Sequence, residues 1–382
     1  MIKWVVALWF SLCAMAFAQS KPLLMEHADS LSVERGRGFL LLRGDVRFRH
    51  DSVQVRTERA MWNKNADVVH CEGGFLFLHP KGSMKANAGE YRRKSEIAEG
   101  IGSIVARDSN GEAAYFGERA IYNRKTEFLD LISAPVVHRY TKDTVKHKTD
   151  TLIIRARHII YDRKRDLASA FGNVRITQGD LVVTCDTGWF DKKNNKLSLV
   201  GKPKCQLKDN QLSGDSMHIV LAGDKLKTVR VVKNALGVQD ETPKNGDPLK
   251  HTQVTGDTLF AEFDGDKMKS IYVTVGAEGK FWEEDLKNYV NKMTGQTLAL
   301  AFQDGQMQNA RVLGSAKSTY WYTDKKRVIS GRNEALGDTI FVTFDSSKVK
   351  RLRINGNMAT GVFYDLSKKG LADKKTVKEG KK

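Results

Sequence analysis

The chain has 382 residues, a net charge of +18 and a pI near 9.6, with 41% hydrophobic and 28% charged residues. That length suits one elongated domain or two compact ones. After the first residues no stretch approaches the roughly 20 apolar residues of a membrane-spanning helix. In an exported chain the basic excess points to phosphorylated lipids or other envelope polyanions rather than to nucleic acid.

Residues 1–18 read as a secretory leader, with one early lysine, an apolar run, and Ala16-Phe17-Ala18 before Gln19. Cleavage is expected after Ala18, with an uncleaved anchor or lipidation at Cys13 as alternatives. From there the chain repeats. "TERAMWN" at 57–63 returns as "ANAGEYR" (86–92), "GERAIYN" (117–123), "ARHIIYD" (156–162) and "CDTGWFD" (185–191). The anchors Val33, Trp62, Tyr91, Tyr122, Tyr161 and Phe190 follow at intervals of 29, 29, 31, 39 and 29, the long interval holding the polar insert 141–150. Eleven residues after most anchors stands a glycine: Gly44, Gly73, Gly102, Gly172 and Gly201; one unit has Ala134-Pro135 instead. Self-similarity at this period marks a stack of supersecondary units.

Each unit alternates with period two and is punctuated by turn clusters, the pattern of hairpins. Units lengthen beyond residue 210, where "GDSMHIVL", "GDTLFAEFD", "GQTLALAF" and "GDTIFVTFD" begin at 214, 256, 295 and 337, the last three followed by Gly276, Gly314 and Gly356. The organisation expected is a short-unit region (19–238), a polar linker or insert (239–253), a long-unit region (254–366) and a basic, disordered tail (367–382). "FWEEDLKNYVNK", 281–292, reads as a long turn.

Glycine-bearing strands keep one apolar parity, as in Leu40, Leu42, Gly44, Val46 and Phe48. Their partners change parity once, as in Val53, Val55 and Thr57, then Glu58, Ala60 and Trp62. Pairing Phe190 with Leu197 places Gly188 against Leu199, Cys185 and Asp186 together against Gly201, Val183 against Pro203, and Leu181 against Cys205. Two residues opposing one is a β-bulge, here assigned to the partner strand. Every strand is therefore expected to fold across its middle at a glycine, where facing walls leave no room for a side chain. The fold class is all-β: a stack of bent antiparallel strands forming an open, V-shaped, twisted jellyroll with an apolar groove. About twenty strands at roughly 4.8 Å would extend on the order of 90 Å.

The recurring small-acid-aromatic anchor and the step seen in "RGDVRF", "EGGFLF", "IGSIVA", "FGNVRI" and "NGNMAT" resemble the OstA-like family, the periplasmic lipopolysaccharide-transport proteins whose fold also forms the N-terminal domain of an outer-membrane assembly protein. The resemblance covers nearly all of 26–365. It implies a periplasmic jellyroll that shields lipopolysaccharide acyl chains, bridges inner to outer membrane, and stacks end to end with related domains or further copies of itself. Edge pairing follows physically, because a stack of strands leaves two unpaired edges.

The groove candidates are Val46, Phe48, Val53, Val55, Phe75, Phe77, Val174, Ile176, Leu181 and Val183, and the structural bends are Gly44, Gly73, Gly102, Gly172 and Gly201. The acids Asp29, Glu58, Glu118, Asp186, Asp215, Asp257 and Asp338 are expected inward at the bulge, accepting its unpaired N–H. They are spread over the units rather than converging, so no acid–base pair, metal site, cofactor or enzymatic activity is expected. The other readings are an exported β-solenoid scaffold with a filled core and a polysaccharide-active protein. Three cysteines remain after cleavage and are expected as free thiols.

Overall fold

The computed structural model describes residues 21–34, 38–143, 148–222, 225–241, 248–264, 267–303, 306–324, 326–345, 348–366 and 375–376. The expected leader lies outside these residues, as do 367–374 and 377–382 of the expected tail.

Each long strand serves two ladders. Phe39–His50 pairs through its first half with Ser30–Glu34 and through its second half with Leu24–His27. Val53–Asn63 likewise pairs with Val68–Glu72 and, through its other half, with Phe75–His79. The halves accumulate into two walls. The first wall runs through Val68–Glu72, Ala88–Arg92, Phe128–Ile132, His158–Asp162 and Lys196–Val200; the second runs through Phe75–His79, Gly82–Ala86, Val136–Asp143, Lys148–Arg155 and Lys204–Leu207. All 29 described strands belong to one sheet, and the two walls share a spine where the long strands turn from one to the other.

The turn is made by two consecutive residues with left-handed backbone. These pairs are Gly44–Asp45, Gly73–Gly74, Gly102–Ser103, Ser133–Ala134, Gly172–Asn173, Gly201–Lys202, Lys233–Asn234, Val275–Gly276 and Gly314–Ser315. At Gly201 φ is +80°, and an added Cβ would lie 2.3 Å from an Asp186 carboxylate oxygen on the neighbouring strand. Glycine stands there because the backbone is left-handed and a neighbouring side chain lies over it, not because the two walls meet.

The extra residue at each corner belongs to the glycine strand, which corrects the expected bulge. Arg43 pairs with Arg59 and Val46 with Thr57, so Gly44 and Asp45 oppose the single residue Glu58. Phe190 does oppose Leu197 and Gly188 opposes Leu199, but past the corner Val183 opposes Cys205 and Leu181 opposes Leu207, two residues from the expected register. The parity change on the partner strand marks the corner itself. The acids also differ from expectation: Glu58, Glu118, Asp186, Asp257 and Asp338 are exposed on the outside of the spine rather than turned inward.

Pairing continues through the stretch expected to separate the halves, with Gln239 opposite Thr252 and Glu241 opposite Lys250. The insert at 141–150 extends one hairpin, Val136–Asp143 pairing with Lys148–Arg155. The piece at 281–292 is a turn containing a short 3-10 segment, Glu284–Leu286. Lys375–Thr376, from the expected tail, pairs with Thr360–Asp365. The cysteines Cys71, Cys185 and Cys205 are free thiols; burial raises Cys71 and Cys185 to about 12 and about 11.

Alternation puts apolar side chains of both walls into one continuous core, from Leu23 to Val342. Burying a large aliphatic or aromatic side chain contributes about 1.5–3 kcal/mol, so inter-wall packing holds the V closed.

Candidate functional site

The site is the space between the walls and the mouth where their free edges face each other. The ten groove candidates all fall on the second wall. Val46, Phe48, Val53, Val55, Phe75, Phe77, Val174 and Val183 are buried, and Ile176 and Leu181 pack half-buried against the core. The first wall supplies the opposite lining with Leu42, Val69, Tyr91, Leu131 and Leu199. Sequence reading passed over these as groove residues, although their parity with the aromatic anchors carries the signal. The five candidate bend glycines each have φ between +74° and +80°.

In the first half the mouth is tied shut. The anchors of the first wall meet rings of the second: Phe77 lies 5.8 Å from Tyr91 and 6.1 Å from Tyr122, and His79 stacks on Tyr122 at 4.7 Å. His50 Nδ1 stands 2.6 Å from the Tyr91 hydroxyl. Outside the rings, Arg124 on the first wall donates to Glu96 on its own wall and reaches Asp51 and Ser52 across the mouth at 3.3 Å. Lys81 on the second wall pairs with Glu127 at 2.6 Å, and Arg163 donates to the Lys81 carbonyl at 3.3 Å.

These contacts set the ionisation of the mouth. The Lys21 ammonium, with Arg124, holds Asp51 at about 2. The Lys81 hydrogen bond lowers Glu127. Burial, then the cations Arg163, Arg124 and Lys81, pushes His79 down to about 4, and burial lowers His50 in the same direction. Burial raises Tyr115 to about 12. A pocket of about 60 Å³ remains among Phe77, His79, Met84, Tyr115, Tyr122 and Tyr161. It has room for about two water molecules, so an acyl chain fits here only when the walls part.

The second half has a different mouth. Four hairpins each place a cross-strand apolar pair just inside the edge: Leu221–Leu226, Phe263–Met268, Phe302–Met307 and Phe344–Val349. A register shift immediately precedes each pair, and all eight side chains are half-buried against the core. The second wall has small residues beside its corners, including Ala235, Gly237, Ala277, Gly279, Ala316 and Ala335, and larger ones further out, Phe281, Tyr320 and Tyr322. Tyr320 reaches across to hydrogen-bond with the Val349 backbone. Ser318 Oγ, on a residue only 6% exposed, is buried without a hydrogen-bond partner.

Apolar residues are exposed toward both ends of the stack, and at the first end they lie on edge strands. Leu24, Leu31 and Val33 are 54%, 48% and 60% exposed at one end, and Phe363 is 41% exposed near the other. Among the described residues no cluster of three or more His, Cys, Asp or Glu has metal-binding geometry, and no helix is long and apolar enough to cross a membrane.

No family model matches the chain, and no curated protein matches it. Among solved structures the chain is similar to the crystal structure of LptH, the LptA-homologous periplasmic component of the lipopolysaccharide transport device of Pseudomonas aeruginosa. The identity is 17% and the TM-score 0.27, over 34% of this chain and 94% of that one. A likeness of that size carries no argument by itself; the case for function rests on the interior and its mouth.

Proposed function

We propose that this protein is a periplasmic, non-enzymatic carrier of lipopolysaccharide or a related phosphorylated lipid. It holds acyl chains between its two walls and bridges inner to outer membrane in outer-membrane assembly. The observation that carries the reading is the apolar interior. It is continuous along the stack, lies between walls joined at the spine, and is edged in the second half by half-buried hydrocarbon. Each acyl methylene taken out of water there contributes about 0.8 kcal/mol. The candidate groove residues from Val46 to Val183 become the lining once the walls part. Edge strands with exposed Leu24, Leu31 and Val33 suit end-to-end pairing with OstA-like domains or with a second copy.

Organic extraction of the purified protein, followed by mass spectrometry, tests this. A phosphorylated acyl lipid in the extract, and its loss from a Phe302→Asp variant, is expected. A lipid-free protein that also fails to bind added lipopolysaccharide would overturn the reading. It would favour an envelope scaffold, to which the full burial of Phe48, Phe75 and Phe77 already lends weight in the first half.

A further inference from the structure

We propose that five hairpin tips on the first wall's edge form a ladder that binds the phosphate groups of the amphiphile whose hydrocarbon lies between the walls; this rests on the carrier reading above. The tips are 64–67, 93–96, 124–127, 163–166 and 192–195. They follow the same turn geometry, an Asn or Asp side chain at the start of the turn accepting a backbone N–H in four of them: Asn63 from Ala66, Asn123 from Thr126, Asp162 from Arg165 and Asp191 from Asn194. Successive tips are also bonded to each other. Arg93, Arg124, Arg163 and Lys192 each donate their backbone N–H to a carbonyl of the preceding tip, at 3.0, 3.0, 3.2 and 3.0 Å. Neighbouring tips stand two strands apart, about 10 Å.

That regularity aligns two rows of cations. The inner row, Arg93, Arg124 and Arg163, is half-buried, and its members are held by Asp67, Glu96 and the Lys81 carbonyl. The outer row, Lys94, Lys125 and Lys164, is exposed. Each ammonium donates to the carbonyl of the equivalent residue one tip back, Asn65, Lys94 and Lys125, at 3.1, 2.7 and 2.6 Å. A carbonyl fixes the position of the ammonium without cancelling its charge, and leaves two of its three donors for an anion.

The basic excess belongs to the tips of the first half and not to this edge along the whole stack. The five tips hold ten Lys and Arg against four Asp and Glu, whereas the corresponding stretches of the second half (222–225, 264–267, 303–306 and 345–348) hold three Lys against five Asp. The ladder also sits directly above the anchors Trp62, Tyr91, Tyr122, Tyr161 and Phe190, each three residues before the second position of its tip. An amphiphile with its chains among those rings therefore presents its head group to the lysines. This lip-and-interior adjacency favours a phosphorylated head group over a membrane surface pressed against the outside.

The test uses the mature full chain and its Lys94→Gln/Lys125→Gln/Lys164→Gln variant. The probes are a dispersed diphosphorylated acyl disaccharide, the same glycolipid after phosphate removal, and phosphatidylglycerol vesicles. The wild type is expected to bind the diphosphorylated form about tenfold more tightly than the dephosphorylated one. The triple variant should bind both alike, with its affinity for the dephosphorylated form unchanged. Lys227→Gln/Lys269→Gln/Lys317→Gln, which removes the same charge from the second half, should keep the preference. A triple variant that retains the wild-type preference overturns the ladder and leaves the carrier reading standing. Tighter binding to vesicles than to dispersed glycolipid also overturns it, in favour of a membrane dock. Failure of the wild type to bind either glycolipid overturns the carrier reading itself.

Discussion

Between Phe39 and Val200 both walls fill the interior, and at two points bulk from the second wall lies over a glycine of the first. Phe75 covers Gly89 and Ile104 covers Gly100. Beyond residue 225 the roles are exchanged: Leu259 and Leu298 of the first wall reach across onto Gly237 and Gly279 of the second. At these contacts the glycine thus changes walls between the two halves. The difference reaches the mouth. Where the second wall is bulky, its rings and tips touch the first wall and tie it shut. In the second half the first wall's edge is finished by hydrocarbon pairs, and Tyr320 of the second wall reaches it at Val349. The stacked rings and ion pairs that tie the mouth lie in the first half, and the basic tips lie over them.

The largest effect should separate the halves through a single charge. Phe77 is fully buried between the walls, so Phe77→Asp places a carboxylate without a partner in the core. It should cost about 4 kcal/mol or more, seen as a lost or much lowered first-half unfolding transition. Phe302 is half-buried at the mouth of the other half, and Phe302→Asp should cost only about 1–2 kcal/mol while lowering acyl-chain binding. Equal destabilisation by the two variants would show that the halves do not differ in how they close.

Next comes the exchange of bulk and glycine. A Cβ at Gly89 would lie 2.4 Å from Phe75 Cγ and 2.6 Å from the Glu99 carbonyl oxygen, a ring and a backbone that cannot withdraw. Gly89→Ala should destabilise by about 2–3 kcal/mol. At Gly279 the nearest atom is the Cδ2 end of Leu298 at 2.9 Å, which can turn away, and the Phe281 ring edge stands at 3.1 Å, needing to give only a few tenths of an ångström, so Gly279→Ala should cost less, about 1 kcal/mol. Urea titration of the two variants decides it. The reverse ranking would mean that the second half is the more tightly packed.

Much of this was legible in the residues, for physical reasons. Alternation and the repeat of aromatic anchors gave the two walls, because a strand has only two faces and the anchors mark one of them. The registers Phe190–Leu197 and Gly188–Leu199 follow from the hairpin alone. The register past the corner did not, since parity cannot tell which strand carries the extra residue. Ser133–Ala134 and Lys233–Asn234 escaped as left-handed corners because neither contains the glycine that signals one. The ties across the mouth, such as His50–Tyr91 and Lys81–Glu127, join residues about 40 positions apart. Local patterning carries no trace of such contacts.

Acid should loosen the first half before the second. His79 has a folded pKa of about 4 against the ordinary histidine value of 6.5, and His50 is depressed in the same direction. Below the unfolded value the unfolded chain binds the extra proton and the folded chain does not. Stability contributed by the neutral rings is therefore present above about pH 6.5 and lost as the pH falls toward 4. Allowing for the partial exposure of His79, the loss is on the order of 1–2 kcal/mol. Hydrogen exchange should show amides near Phe77 and Tyr122 losing protection between pH 6.5 and 4 sooner than those near Leu259 and Leu298, and His79→Phe should flatten the difference. Uniform loss along the stack would remove the histidines from the account.

The smallest expected effect tests the corner itself. Lys233 and Asn234 turn the chain between the walls with φ of 59° and 51° and without a glycine, where most corners of the first half open on one. Lys233 is exposed, so its side chain contributes little packing there. Its backbone carbonyl accepts from Asp215 N at 3.0 Å, and Asn234 Nδ2 donates to Asp215 Oδ1 at 3.1 Å. Neither bond needs the lysine side chain. A left-handed non-glycine residue costs about 1–2 kcal/mol, and glycine returns part of that relief through the freedom it adds to the unfolded chain. Lys233→Gly should therefore stabilise the fold by about 0.5–1 kcal/mol, a rise in the urea midpoint at unchanged slope. The same substitution at an ordinary strand position, Lys317→Gly, should do the opposite. If Lys233→Gly destabilises as Lys317→Gly does, the bend at that corner is not left-handed, and the second half turns by some other device than the first.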